Sequence, residues 1–166
     1  MLPIKNSSKR TIQFLFLLVF LIQPSYAQIV ESWIDNKGGF LDSIPIAYTN
    51  GRIYVKLKIG QDTTQYRFLV DTGAPCAISK RLQERLAYRI LKKQLTGSSI
   101  EGVKDSTSLV VIPRVTIGKI DFVNTLASIV DLGYLNSSGF QIDGILGANL
   151  MRLCVWQIDV SKSKFI

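Results

Sequence analysis

The sequence contains no histidine and only two cysteines among its 166 residues. Without histidine the chain cannot build a Ser-His-Asp or Cys-His catalytic site, and it offers no imidazole to a metal ion. Two thiols are also too few for a four-thiolate zinc site. Carboxylates are therefore the main catalytic groups that this chain has available, and we expect neither a metal ion nor a cofactor.

Acidic residues are scarcer than basic ones, with 12 Asp and Glu against 20 Lys and Arg. The basic residues are spread along the chain and form no run of five, so we interpret them as solvated strand and helix surface. A nucleic-acid partner is not expected. The length suits one domain with an ordinary hydrophobic core.

Long hydrophobic runs are absent except near the start, where an apolar run spans Thr11 to Ile22 after the basic residues Lys5, Lys9 and Arg10. Small residues follow at Ser25 and Ala27, the spacing that a signal peptidase reads. A membrane anchor is the alternative, but the run is about half of the roughly 20 residues needed to span a bilayer. Residues 1–27 are thus predicted to be a signal peptide, removed on export to the periplasm or the medium, which leaves no stable membrane span.

After this segment, residues 28–43 show little periodicity and are predicted to form a loop-rich lead-in to a domain over residues 44–166. Apolar residues then occupy every second position of a predicted strand, at Ile53, Val55, Leu57 and Ile59. Gly60-Gln61-Asp62 predicts a turn, and a returning strand is expected over about Thr63 to Val70.

Farther along, Ser79 is a suitable cap for a short helix with Leu82, Leu86 and Ile90 on one face. Four short β-rich segments follow, interrupted by Pro113, Gly118 and Gly133; they span 109–112, 114–117, 120–124 and 126–130. Many short strands with one or two short helices predict a mainly β, closed barrel-like fold. Cys76 and Cys154 could form a disulfide after export, or could be two separate small apolar residues.

Two motifs carry the chemistry. Asp71-Thr72-Gly73-Ala74 follows the apolar run Phe68-Leu69-Val70, and Ile145-Leu146-Gly147 precedes a short apolar helix predicted over Ala148 to Leu153. Gly73 suits a tight turn that a side chain would obstruct. A carboxylate is thereby presented on a turn at the end of a buried strand.

These motifs, with the predicted closing strand Val155 to Asp159, resemble the retropepsin-like aspartic proteases of the exported bacterial type. The resemblance covers about Ile44 to Ile166 and implies a retropepsin-like acid-protease lobe. It makes Asp71 the catalytic residue of an aspartic-type endopeptidase, a hydrolase that acts on peptide or protein substrates. It also implies that Ile145, Leu146 and Gly147 form a strand that threads behind the catalytic loop.

The resemblance further implies roles for the other residues of the Asp71 loop. Thr72 would hydrogen-bond to a partner loop, and Gly73 would serve the backbone geometry. Ala74 cannot donate a hydrogen bond to the carboxylate, as a Ser would, so the pH optimum is expected above that of pepsin-type enzymes. A substrate-covering flap is expected at Thr96 to Gly102.

The sequence holds one Asp-Thr-Gly and no internal repeat. Because this type of hydrolysis uses two carboxylates that share a proton, the resemblance implies a homodimer in which each chain supplies one Asp71. Two alternatives stay open. The chain could be a noncatalytic peptide-binding or assembly module on the same lobe, or one lobe of a longer two-lobed protease.

Overall fold

The computed structural model describes residues 31–35, 41–98, 104–136 and 140–166. Within these ranges the strands are β1 (Trp33–Ile34), β2 (Ile44–Thr49), β3 (Arg52–Ile59), β4 (Asp62–Asp71), β5 (Ala77–Ser79), β6 (Ile90–Ser98), β7 (Lys104–Ile117), β8 (Ile120–Val130), β9 (Gly144–Gly147), β10 (Ile158–Asp159) and β11 (Lys164–Phe165). The helices are α1 (Lys80–Leu86) and α2 (Ala148–Met151), with a 3-10 helix at Gly133–Leu135. The predicted mainly β fold with short helices is confirmed.

Six of the strands close into a ring, because β3 pairs with β4 on one side and with β7 on the other. From β4 the ring continues through the parallel strand β9 to β5. From β5 it returns through β8 to β7. Closure removes the free edges that an open sheet would expose, and it confirms the predicted barrel-like architecture.

Strand β3 shows how alternation builds the core. Val55, Leu57 and Ile59 are buried in the barrel, while Lys56 and Lys58 are exposed, as the period-two pattern predicts. Tyr54 is the exception, since it lies on the outward face but is only 4% exposed. A second apolar cluster, which includes Leu69, Leu132 and Ile142, covers it.

The segments predicted between Leu109 and Val130 merge into two long strands, β7 and β8. Pro113 lies inside β7, although proline has no N–H to donate to a sheet. Here β7 changes partner, since it pairs with β6 up to Val110 and with β3 from Val115. Pro113, which has no N–H to donate, therefore lies between the part of β7 that pairs with β6 and the part that pairs with β3.

Helix α1 begins as predicted, with the Ser79 hydroxyl accepting the Leu82 N–H at 3.1 Å. The predicted helical face through Ile90 is wrong at its end, because Ala87 adopts a left-handed conformation and Ile90 starts β6. Helix α2 is also shorter than the predicted Ala148 to Leu153. No helix in the described ranges is long and apolar enough to cross a membrane.

The predicted closing strand Val155 to Asp159 is reduced to the two residues of β10. Trp156 turns inward instead and packs between Phe122 and Phe165, with ring centroids 6.0 and 4.5 Å away. Its indole N–H donates to the Met151 carbonyl at 2.7 Å. Packing of the indole against the core thus replaces strand pairing at Trp156. The two-residue strand β1, which pairs with β8, was not predicted within the lead-in.

Candidate active site

Asp71 is the last residue of β4. The strand delivers it from the core, because Phe68 and Leu69 are buried and Asp71 itself is only half-buried. Its carboxylate Oδ1 accepts the Gly73 N–H at 2.9 Å. The backbone of the Asp-Thr-Gly turn therefore orients the carboxylate at the surface of the lobe.

The turn after Asp71 is open to solvent on one side and anchored on the other. Thr72, Gly73 and Pro75 are exposed, whereas Ala74 is half-buried. The Ala74 carbonyl accepts the Ala148 N–H at 2.8 Å, which ties the loop to the first residue of α2. Ala74 has no side-chain donor to offer the carboxylate.

Strand β9 runs parallel to β4 directly behind this loop, with Leu69 opposite Ile145, Val70 opposite Leu146 and Asp71 opposite Gly147. A Cβ at Gly147 would overlap the backbone of Ala74, Pro75 and Cys76. The close approach of the strand to the Asp71 loop thus requires glycine at this position.

Asn149 is a residue whose role sequence reasoning missed. Its Oδ1 accepts the Cys76 N–H at 2.6 Å, and its Nδ2 donates to the Leu126 carbonyl at 2.8 Å. One side-chain amide thus joins the end of the Asp71 loop to β8. A polar residue inside an apolar helix was the available signal, but its partners lie 73 and 23 residues away.

Cys76 lies beneath the loop and is 4% exposed. The Gly147 N–H points at its sulfur, with a nitrogen–sulfur distance of 3.3 Å. Burial raises the pKa of the Cys76 thiol, and also that of Cys154. Neither thiol is therefore a good nucleophile at neutral pH, and both cysteines are free in the structure.

Two other carboxylates near the second motif have structural partners. The Asp143 side chain accepts the Arg67 N–H at 2.9 Å and forms an ion pair with Arg81. Asp159 accepts hydrogen bonds from the Ser161 hydroxyl and the Lys162 amide, and these lower its pKa. These hydrogen bonds and ion pairs engage both carboxylates in local structure.

The flap predicted at Thr96 to Gly102 falls partly on a hairpin of the described structure. Strands β6 and β7 form a hairpin in which Ser98 pairs with Lys104. Of the predicted flap, Thr96 to Ser98 belong to β6, and residues 99–102 lie outside the described residues. Among the described residues, no three His, Cys, Asp or Glu side chains gather in a group that could hold a metal ion.

Comparison with known proteins agrees with this geometry. A family model described as aspartyl protease matches residues 55–150. Comparison with curated proteins gave no match. Among solved structures, a retropepsin-like aspartic protease from Rickettsia conorii matches with a TM-score of 0.51 and 23% identity, over 78% of this chain and 93% of that chain. This likeness confirms the retropepsin-like fold that the sequence predicted.

Proposed function

The chain belongs to the aspartyl protease family, and from this premise we propose that it is an exported aspartic endopeptidase whose active site forms between two identical chains. The observation that carries the proposal is the position of the Asp71 carboxylate. Asp71 ends a core strand, and its carboxylate accepts the Gly73 N–H beside the exposed residues Thr72 and Gly73.

A second chain is required because each chain supplies half of the chemistry. Peptide hydrolysis without a metal ion or a covalent nucleophile needs one group that deprotonates water and one that protonates the substrate. The sequence has one Asp-Thr-Gly, while Asp143 and Asp159 are engaged elsewhere. A two-fold axis at the exposed Thr72-Gly73 turn would bring two copies of Asp71 together.

In the dimer the two carboxylates share one proton, because like charges at close range cannot both be ionised. The ionised Asp71 takes a proton from water, and the water oxygen attacks the peptide carbonyl carbon. The protonated Asp71 of the other chain gives its proton to the carbonyl oxygen. The tetrahedral intermediate then collapses: the Asp71 that took the water proton gives it to the departing amine, and the other Asp71 takes a proton from a hydroxyl of the intermediate, which restores the single shared proton.

The surroundings of Asp71 favour substrates with apolar side chains next to the cleaved bond. Leu69 and Ile145 lie two residues before Asp71 and Gly147 on the paired strands, so they share a sheet face with the carboxylate. Both belong to the second apolar cluster. Leu69 is buried and Ile145 is half-buried, so a peptide held at Asp71 would meet the edge of this cluster with an apolar side chain.

A peptide library tests the activity. We expect the purified chain to cleave it between pH 3 and 8 with a chelator present, and Asp71→Asn to abolish cleavage. Cleavage that survives in Asp71→Asn would contradict the assignment of Asp71. A folded dimer that binds peptides without cleaving them would indicate a binding module instead.

Mixing tests the shared site. When wild-type and Asp71→Asn chains exchange subunits, only dimers with two intact carboxylates are active, so activity should follow the square of the wild-type fraction. Peptide cleavage should also be lost at protein concentrations at which sedimentation shows that the dimer has dissociated. A linear dependence, or full activity in a pure monomer, would contradict the shared dyad.

Export is tested by expressing the chain from Met1 in a bacterial host. We expect the product outside the cytoplasm with Gln28 at its N-terminus, because residues 1–27 have the pattern of a signal peptide. Cytoplasmic protein that keeps Met1 would contradict export while leaving the proposed chemistry untouched.

A further inference from the structure

The outward face of β3 and β4 carries a pair of like charges. Lys56 on β3 and Arg67 on β4 are register partners, so their side chains leave the sheet on the same face, with Cβ atoms about 5 Å apart. Lys58 follows two residues later on that face and is exposed. Like charges placed directly opposite each other destabilise a sheet.

No described carboxylate forms an ion pair with these basic residues. The ion pairs among the described residues do not include Lys56, Lys58 or Arg67. Asp143, which lies close to Arg67, accepts its backbone N–H and is paired with Arg81. The Arg67 guanidinium instead lies 4.2 Å from the ring centroid of Phe140 and donates a hydrogen bond to the Gln141 carbonyl at 3.3 Å.

The same three cations line two adjoining grooves, which we call the cationic trough. One groove, of about 230 Å³, lies between Ala47, Arg67 and Phe140. The other, of about 180 Å³, lies between Lys58 and Thr116, and both grooves share Pro45 and Lys56. The short side chains of Pro45 and Ala47 leave the space beside the basic residues open.

We propose that the cationic trough binds an extended acidic peptide segment. Residues on one side of an extended chain repeat every 7 Å or so, which is also the spacing of Lys56 and Lys58 along β3. Carboxylates at alternate positions of the peptide would therefore meet successive cations. A narrow trough suits a single peptide chain better than a flat membrane surface.

The trough also has a defined relation to the proposed active site, and this step rests on the proposed function. Arg67 precedes Asp71 by four residues on the same strand, a separation of roughly 13 Å. A protein substrate could occupy both places at once. We infer that the bound segment is an acidic stretch of the substrate, which holds it near the scissile bond.

Binding is measured by fluorescence anisotropy with a dye-labelled peptide of alternating Glu and Ser, at physiological ionic strength, on the full chain carrying Asp71→Asn. Lys56→Gln with Lys58→Gln should weaken binding about tenfold, because two exposed ion pairs are lost. Arg67→Gln should weaken it as well. The control, Lys80→Gln with Arg89→Gln, removes the same charge from exposed positions on or near α1 and should bind normally.

Charge reversal makes the test independent of folding defects. Lys56→Glu with Lys58→Glu should lose the Glu-Ser peptide and gain a Lys-Ser peptide. Equal binding of a Gln-Ser peptide, equal loss in the control variant, or binding to vesicles of anionic lipid but not to the peptide would overturn the proposal.

Catalysis is measured separately, so the two proposals can fail separately. An acidic extension on a cleavable peptide should lower KM without changing kcat, and the trough variants should remove this effect. If the chain binds the Glu-Ser peptide but cleaves no peptide, the proposed binding at the cationic trough stands and the proposed endopeptidase activity is wrong. If the acidic extension leaves KM unchanged, the inference that the bound segment belongs to the substrate is wrong.

Discussion

Asp71 and Gly147 lie opposite each other in the parallel pair of strands β4 and β9. The carboxylate and the glycine behind it are therefore positioned by one ladder of hydrogen bonds, although they are far apart in the sequence. The position of the carboxylate thus depends on a neighbour that performs no chemistry.

Gly147→Ala should destabilise the fold by about 1–3 kcal/mol and nearly abolish activity, because the new methyl group would displace the backbone of the catalytic loop. Thermal unfolding and peptide cleavage measure the two effects. Gly133→Ala is the control, since its methyl group would meet only the side chain of Asp131. Equal losses in both variants would contradict a specific role for Gly147.

Asn149→Ala should cost about 1–3 kcal/mol of stability, because the Cys76 N–H loses its acceptor. We also expect kcat to fall more than KM changes, since the defect lies in the catalytic loop. Asn136→Ala is the matched control, because Asn136 also accepts a backbone N–H, from Ile142, outside this loop. A fall in kcat in both variants would refute the assignment of Asn149.

Ala74→Ser should move the pH optimum of cleavage downward. The added hydroxyl can donate a hydrogen bond to a carboxylate at the dyad and so favour its ionised form. The pH profile of kcat/KM measures the shift, with Ala74→Gly as a variant that adds no donor. An unchanged profile, or a wild-type optimum near pH 2, would contradict this account.

The lowered pKa of Asp62 predicts how the stability of the fold responds to acid. A hydrogen bond from the Tyr66 hydroxyl at 2.5 Å, with further hydrogen bonds from Thr64 and the charge of Arg85, lowers the pKa of Asp62 from 3.8 to about 2. Because the folded pKa is the lower one, the ionised group stabilises the fold above pH 3.8. This contribution is lost as the pH falls toward 2.

Asp62→Asn should therefore lower the free energy of unfolding at neutral pH, and the difference from wild type should shrink between pH 3.8 and 2. Denaturant unfolding across this range provides the measurement. Tyr66→Phe should remove part of the same pH dependence, since it deletes the largest cause. A difference that stays constant down to pH 2 would contradict the shifted pKa.

Local features of the chain were predictable from sequence. The strand that ends at Asp71, the Ser79 cap and the turn after β3 follow from alternation, capping and turn residues that are neighbours in the chain. The burial of Tyr54 could not be predicted, because alternation reports which face a residue occupies and not that a second apolar cluster covers this face. The partners of Asn149 and the inward turn of Trp156 depend on contacts between distant residues.

The pairing of β7 has a mechanical consequence for the hairpin that it forms with β6. One continuous strand is an arm of the hairpin at its start and a wall of the barrel at its end, and Pro113 marks the change. The hairpin is therefore attached to the barrel through a strand that belongs to both. The arm that begins at Lys104 cannot swing as a separate unit, because the same strand pairs with β3 and β8 in the barrel wall.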